Sequence, residues 1–153
     1  MTEDDAGRFF EDYKLGSEFT SGYRTLRESD ILEFARVTGD FHPTHFDDRF
    51  ARASFYGERV GHGLLSLAAA MALMNQWEYR SRSIMAFIRV ECRFLRPVKA
   101  NDRIRAKTRI LRKRAWKRPD KGIVVFGLEI INQRGETVAT AEIEELVRKR
   151  RNP

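Results

Sequence analysis

Three histidines occur in the 153 residues, and all of them fall between positions 42 and 62. Two sit in the run Gly39-Asp40-Phe41-His42-Pro43-Thr44-His45 and the third in Gly61-His62-Gly63. Histidine is the side chain that titrates nearest neutrality. Set beside an aspartate and among turn-forming glycines, it can move protons or hold a metal. Asp40 and His45 are separated by a turn containing Pro43, so both side chains can point into one space. A carboxylate and an imidazole that share one water can hold it, orient it and take its proton, help worth about 10²–10⁴-fold in rate. The plainer alternative is a capping aspartate and a packed histidine.

Gly63 is a second chemical feature, because it opens a strongly apolar stretch. If that stretch is a helix, the Gly63 N–H is among the donors with no intrahelical acceptor, and the helix end adds roughly half a positive charge. Such a donor suits a carbonyl oxygen that gains negative charge during reaction. A glycine that only permits close packing is the simpler alternative. A metal site would draw on His42, His45 and His62 with Asp40, and imidazole suits zinc. Pro43 interrupts the His-x-x-His spacing, however, and no cluster of Cys or Glu supports it. The expectation is no metal.

The elements that must position these groups are legible in part. Residues Met1 to Ser17 show no clear period and read as an N-terminal arm, pinned by Phe9, Phe10 and Tyr13. Glu18 to Arg27 reads as a strand. Ile31, Leu32, Phe34, Ala35 and Val37 recur at helical spacing from a start near Ser29 or Asp30, and Gly39 stops that helix. His42-Pro43 forces a turn or extended geometry. Phe46 to Ala53 reads as a short helix and Ser54 to Gly61 as a loop. Gly63 to Tyr79 reads as a central helix, apolar nearly all round and therefore buried on most sides. Alternation marks strands at Ile88–Phe94, Arg103–Ile110, Ile123–Ile131 and Thr137–Val147, the last two joined by Asn132-Gln133-Arg134-Gly135. Arg148 to Pro153 reads as a frayed basic tail. Helices and strands kept apart argue for an α+β fold in one domain spanning residues 1–153, with an antiparallel sheet curled around one helix.

Composition narrows the class. Hydrophobic residues are 42% and charged residues 33%, the balance of an ordinary globular protein. One cysteine, Cys92, cannot form an internal disulfide. The acidic start, Met1-Thr2-Glu3-Asp4-Asp5, has no apolar core and is not a secretory signal. No apolar run is long enough for a membrane span. A cytoplasmic protein is expected. The net charge of +7 is concentrated: Arg93 to Arg118 holds twelve Lys/Arg against the single acid Asp102. Such a region favours an anionic partner such as nucleic acid, acidic lipid or a phosphorylated small molecule, or it is a solvated sheet face. Nucleic acid would prefer aromatic platforms among the charges. Only Phe94 and Trp116 stand there.

Taken together, Thr38-Gly39-Asp40-Phe41-His42-Pro43-Thr44-His45-Phe46-Asp47, Phe50-Ala51, Gly57, Arg59 and His62-Gly63-Leu64-Leu65 closely resemble the MaoC-like dehydratases, which include the (R)-specific enoyl-CoA hydratases. Phe94-Leu95-Arg96-Pro97-Val98 followed by Asn101-Asp102 resembles the same family. The resemblance implies a hot-dog fold, an antiparallel sheet wrapped on one long helix, paired as a homodimer or larger assembly. It implies reversible addition of water to a trans-2-enoyl-CoA thioester, with Asp40 and His45 activating the water and the Gly63 N–H donating to the thioester oxygen. Beyond coenzyme A, itself part of the substrate, no cofactor is implied. Coenzyme A carries about four negative charges on its phosphates, for which Arg96, Lys99 and Arg103 are the candidate binders, with His42 and His62 as further substrate contacts. One departure stands out, since His42 occupies the place of the usual motif asparagine. Competing readings are a thioesterase of the same fold, which wants a carboxylate on the central helix, and a non-catalytic acyl-CoA-binding subunit. No acid occurs from Gly63 to Met74.

Overall fold

A computed structural model describes residues 9–77 and 83–150. The chain runs through short strands β1 (Glu18–Thr20) and β2 (Arg24–Thr25), helix α1 (Glu28–Thr38), a 3-10 turn at Pro43–His45, and helices α2 (Asp48–Ala53) and α3 (Gly63–Met74). Four long strands follow: β3 (Ile84–Phe94), β4 (Arg103–Ala115), β5 (Lys121–Asn132) and β6 (Thr137–Arg148). All pairings are antiparallel, in the order β1-β4-β5-β6-β3, with β2 also paired to β4. β3 is therefore an outer strand of the sheet and does not neighbour β4, the strand next in sequence.

The expected alternation is observed in β4. Ile104, Ala106, Thr108 and Ile110 point inward and are buried, while Arg103 and Arg109 are exposed. Ile104, Ala106 and Ile110, with Phe126, Leu128, Ile130 and Ile143, form one cluster with Leu65, Ala69, Ala70, Leu73 and Met74 of α3. The sheet thus wraps the helix, as the resemblance implies. A second, smaller cluster of Ile123, Val125 and Leu146, packed with Ala86 and Trp116, covers the other face of the sheet. That is why β5 is buried on both sides near its start.

Several boundaries differ from the sequence reading. The expected strand Glu18–Arg27 is two strands, because Ser21 interrupts it. Its Oγ, in place of a backbone carbonyl, accepts the Ala106 N–H at 2.9 Å. The central helix ends at Met74, short of Tyr79, which lies outside the described residues. Asn75, Gln76 and Trp77 close the end with bonds back to Ala72, Leu73 and Met74, and Trp77 stacks on Phe19 at 5.6 Å. The helix is buried on most sides, with Leu64, Ala68 and Ala72 on its exposed face. The basic tail is not free at its start. Arg148 ends β6, the Lys149 N–H donates to Asp120, and Arg150 pairs with Asp12 at 2.7 Å. Within the arm, Phe10–Asp12 form a 3-10 turn and Tyr13 is buried against Phe126.

Candidate active site

α1 ends at Gly39, whose φ of +79° is the left-handed cap that glycine adopts without strain. The chain leaves the helix there and presents Asp40. The Asp40 Oδ1 accepts the His42 N–H at 3.2 Å, so the carboxylate is held against its own turn. The His42 ring caps the next turn, with Nδ1 accepting the Thr44 N–H at 3.3 Å. Pro43 starts that 3-10 turn, and His45 ends it. The loop from Ser54 to Gly61 is pinned over the turn. Val60 N–H donates to Thr44, and Gly61 N–H donates to Val98 at 2.6 Å. Arg59 strengthens this hold by pairing with Glu28 of α1 at 2.6 Å and Asp48 of α2 at 2.7 Å. Those two carboxylates keep the Arg59 guanidinium protonated by raising its pKa.

The loop matters because it sets the chemistry of His45. The His45 Nδ1 lies 2.7 Å from the Val60 carbonyl. A carbonyl only accepts, so Nδ1 carries the hydrogen and Nε2 of the neutral ring keeps its lone pair. Burial pushes the His45 pKa below its ordinary value of 6.5. The Val60 bond and Asp40 pull it up, and His62 and His42 push it down. The net result is a ring that is neutral at neutral pH, with a free basic nitrogen. Asp40, His45 and His62 each present one polar side-chain atom within 4.8 Å of the others. One water can bridge a carboxylate oxygen and a ring nitrogen at such separations. A shared metal fits less well. The His45 and His62 rings stack at 3.8 Å with planes 30° apart, so their in-plane lone pairs run side by side and do not meet on one ion.

Gly63 begins α3 next to this group. A Cβ at Gly63 would come 3.1 Å from the Phe94 ring, so glycine is what the close packing permits. Gly63 lines a cavity of about 430 Å³ with Tyr56, Leu64, Phe94, Leu95 and Arg96. His45 opens on a second, more polar cavity of about 270 Å³ with Glu28, Arg59 and Lys99. Val60 lines both, so the two cavities adjoin.

The expected residues are thus brought together unevenly. Asp40, His45 and His62 form one cluster, and His42 and Gly63 border it. His62 is 4% exposed and lies behind His45, so it is not placed to touch a substrate. Arg96 lines the Gly63 cavity, although its guanidinium also donates to the Thr137 carbonyl at 2.9 Å. Lys99 is tied to Glu58 at 2.5 Å. Arg103 lines neither cavity and lies over the Tyr23 ring. Two contributors escaped the sequence reading. Val60 acts through a main-chain carbonyl, which has no residue signature. Arg59 showed only as part of a motif, and its paired carboxylates are distant in sequence.

Comparison with known proteins agrees with this geometry. Protein MaoC of Klebsiella aerogenes is 36% identical over 107 residues, which are 69% of this chain and 31% of that protein. The (R)-specific enoyl-CoA hydratase of Rhodospirillum rubrum is 30% identical over 98 residues, 64% of this chain and 66% of the relative. The matches therefore span less than two thirds of either relative. The X-ray structure of the monoamine oxidase regulatory protein from Archaeoglobus fulgius superposes with a TM-score of 0.89 at 35% identity, covering 95% of this chain and 97% of that one. The wrapped sheet is the hot-dog fold. The MaoC like domain family matches residues 14–129, which includes every one of the candidate groups above, and the chain belongs to the MaoC-like dehydratases.

Proposed function

We propose that this protein adds water reversibly to a trans-2-enoyl-CoA, giving the (R)-3-hydroxyacyl-CoA. The observation that carries the reading is the pair Asp40 and His45 within one water's reach of each other, with the proton on His45 committed to Val60. In the hydration direction the water oxygen bonds to C3 of the substrate, and its proton passes to His45 Nε2. Asp40 holds the second hydrogen of the water. The electron pair displaced from the double bond moves to the thioester oxygen, opposite the Gly63 N–H. C2 then takes a proton from the acid–base pair, which restores neutral His45. The apolar walls of the Gly63 cavity suit an acyl chain, and Arg96 at its edge suits a coenzyme A phosphate. No cofactor beyond the substrate's own coenzyme A enters these steps.

A thioesterase reading lacks its carboxylate, because α3 has no acid. A nucleic-acid reading loses part of its basic surface to ion pairs, with Arg112 on Glu142 and Arg114 on Glu144. Two copies are proposed to pair along β3, an outer strand with Met85, Phe87, Ile88 and Val90 exposed. Bare strand edges of this kind are normally covered. The test is to mix the protein with crotonyl-CoA and longer 2-enoyl-CoAs and follow loss of the conjugated thioester absorbance, with chiral analysis of the product. An (R)-3-hydroxyacyl-CoA is expected. Release of free coenzyme A without hydration would replace this reading with the thioesterase.

A further inference from the structure

His62 is the most enclosed of the three histidines. Its ring is sandwiched among Phe34 at 5.0 Å, Phe46 at 6.2 Å and His45 at 3.8 Å. Nε2 lies 3.0 Å from the Asp40 backbone carbonyl and 3.8 Å from its Oδ2. Because a carbonyl only accepts, Nε2 carries the hydrogen. Nδ1 is then an acceptor, buried and without a hydrogen-bond partner among the described residues. A buried polar atom without a partner is unfavourable, and a phenylalanine would fill the space without one. What the imidazole offers beyond a phenyl ring is the Nε2–H on Asp40.

We propose that His62 is the positioning residue of the Asp40–His45 pair, an inference that rests on the hydration reading above. Its donor ties the main chain of Asp40 to a point 22 residues further along. That tie matters because Asp40 otherwise sits on an exposed turn after Gly39. Its ring backs the face of His45, which keeps Nδ1 aimed at Val60. His62 also immediately precedes Gly63 and is the N-cap residue of α3. One residue therefore fixes the carboxylate, the base and the start of the helix that presents the Gly63 N–H.

Two substitutions separate the parts of this role. His62→Phe keeps a flat ring against His45 but removes the donor. His62→Gln keeps a donor for Asp40 but removes the ring. With folding checked by thermal melting, His62→Phe is expected to lower kcat about 10- to 100-fold, the scale of a misplaced reacting group, with KM changed less than about threefold. His62→Gln is expected to recover most of kcat. It also moves the acid limb of kcat/KM to higher pH, because the His62 ring is one of the groups holding the His45 pKa down. Wild-type kcat in His62→Phe, or equal losses in both variants with an unmoved acid limb, would overturn the proposal. A readout that needs no activity is the ¹⁵N spectrum of the His45 ring. One tautomer, with Nδ1 protonated, is expected in the wild type and in His62→Phe, which keeps a ring against His45, and a mixture in His62→Gln, which does not. An unchanged tautomer in His62→Gln overturns the positioning of His45 by the ring even if no enoyl thioester is hydrated, whereas a mixture there upholds it and leaves the hydration reading alone to fail.

Discussion

A histidine serves as a base near neutrality when one ring nitrogen is unprotonated and the ring resists a second proton. His45 meets the first condition through Val60 and the second through burial. Its charged form is disfavoured in the folded state, so the folded pKa lies below the unfolded value near 6.5. Below that value the unfolded chain binds the extra proton first. The stability contributed by neutral His45 is therefore complete above pH 6.5 and is lost as pH falls from there through the lowered folded value. Activity should follow the same group. The acid limb of kcat/KM is expected below pH 6.5, and a limb above it would show that His45 is not the base. His42 makes a different prediction. Its Nδ1 accepts the Thr44 N–H, and an asparagine Oδ1 can accept the same donor. His42→Asn should change melting stability by no more than about 0.5 kcal/mol, the scale of a neutral surface change, and leave turnover within about threefold. At this scale the grouping of Asp40 with His45 was legible through the family resemblance of the whole motif, because their types and spacing alone also fit a capping aspartate and a packed histidine. The enclosure of His62 was not, because it depends on Phe34 and Phe46 folding over it from other elements.

The elements divide along the same physical line. β4 and β6 were legible because each has one wet face, so polar and apolar residues alternate. β3 was read as starting late, at Ile88 rather than Ile84. As an outer strand it exposes apolar residues on both faces, and its register slips twice, between Ile84 and Ala86 and between Phe87 and Arg89. The split at Ser21 was hidden because a side-chain oxygen there takes the place of a backbone carbonyl, and the early end of α3 because it depends on backbone bonds tightening the last turn and on Trp77 stacking against the distant Phe19. The connection from β3 to β4 is held by Asp102, which is mostly buried. Its carboxylate accepts the Lys99 N–H at 2.9 Å and the Gln133 side chain at 2.6 Å. Asp102→Ala leaves both donors without their acceptor and should destabilise the fold by about 1–3 kcal/mol in urea unfolding. In the core, Phe126 is fully buried between Tyr13 and Trp77. Phe126→Ala should cost about 3–5 kcal/mol, as a cavity at the centre of one cluster. A loss below 1 kcal/mol in either variant would contradict the packing described here.

At the scale of the molecule, the basic region is neither one binding face nor simply solvated. Arg112 and Arg114 meet acids of β6, Lys99 meets Glu58, and Lys113 donates to the Tyr13 carbonyl at 2.8 Å. A count of charges along the sequence could not show this, because the acids come from a loop and a strand that only the fold brings near. Arg96 remains at the edge of the Gly63 cavity. If it meets a coenzyme A phosphate, Arg96→Ala should raise KM for the full substrate with kcat nearly unchanged. A thioester cut back to the pantetheine arm should not register the change. Pairing along β3 predicts a solution mass of two chains or a multiple of two. The account as a whole stands on one water shared by two side chains. Turnover of crotonyl-CoA should be compared in the wild type, Asp40→Asn, His45→Ala and the double variant. Each single change is predicted to reduce kcat by at least about 10²-fold, and the double variant should lose little more, because the two residues act as a unit. Near-normal turnover in either single variant, or losses that simply multiply in the double, would contradict it.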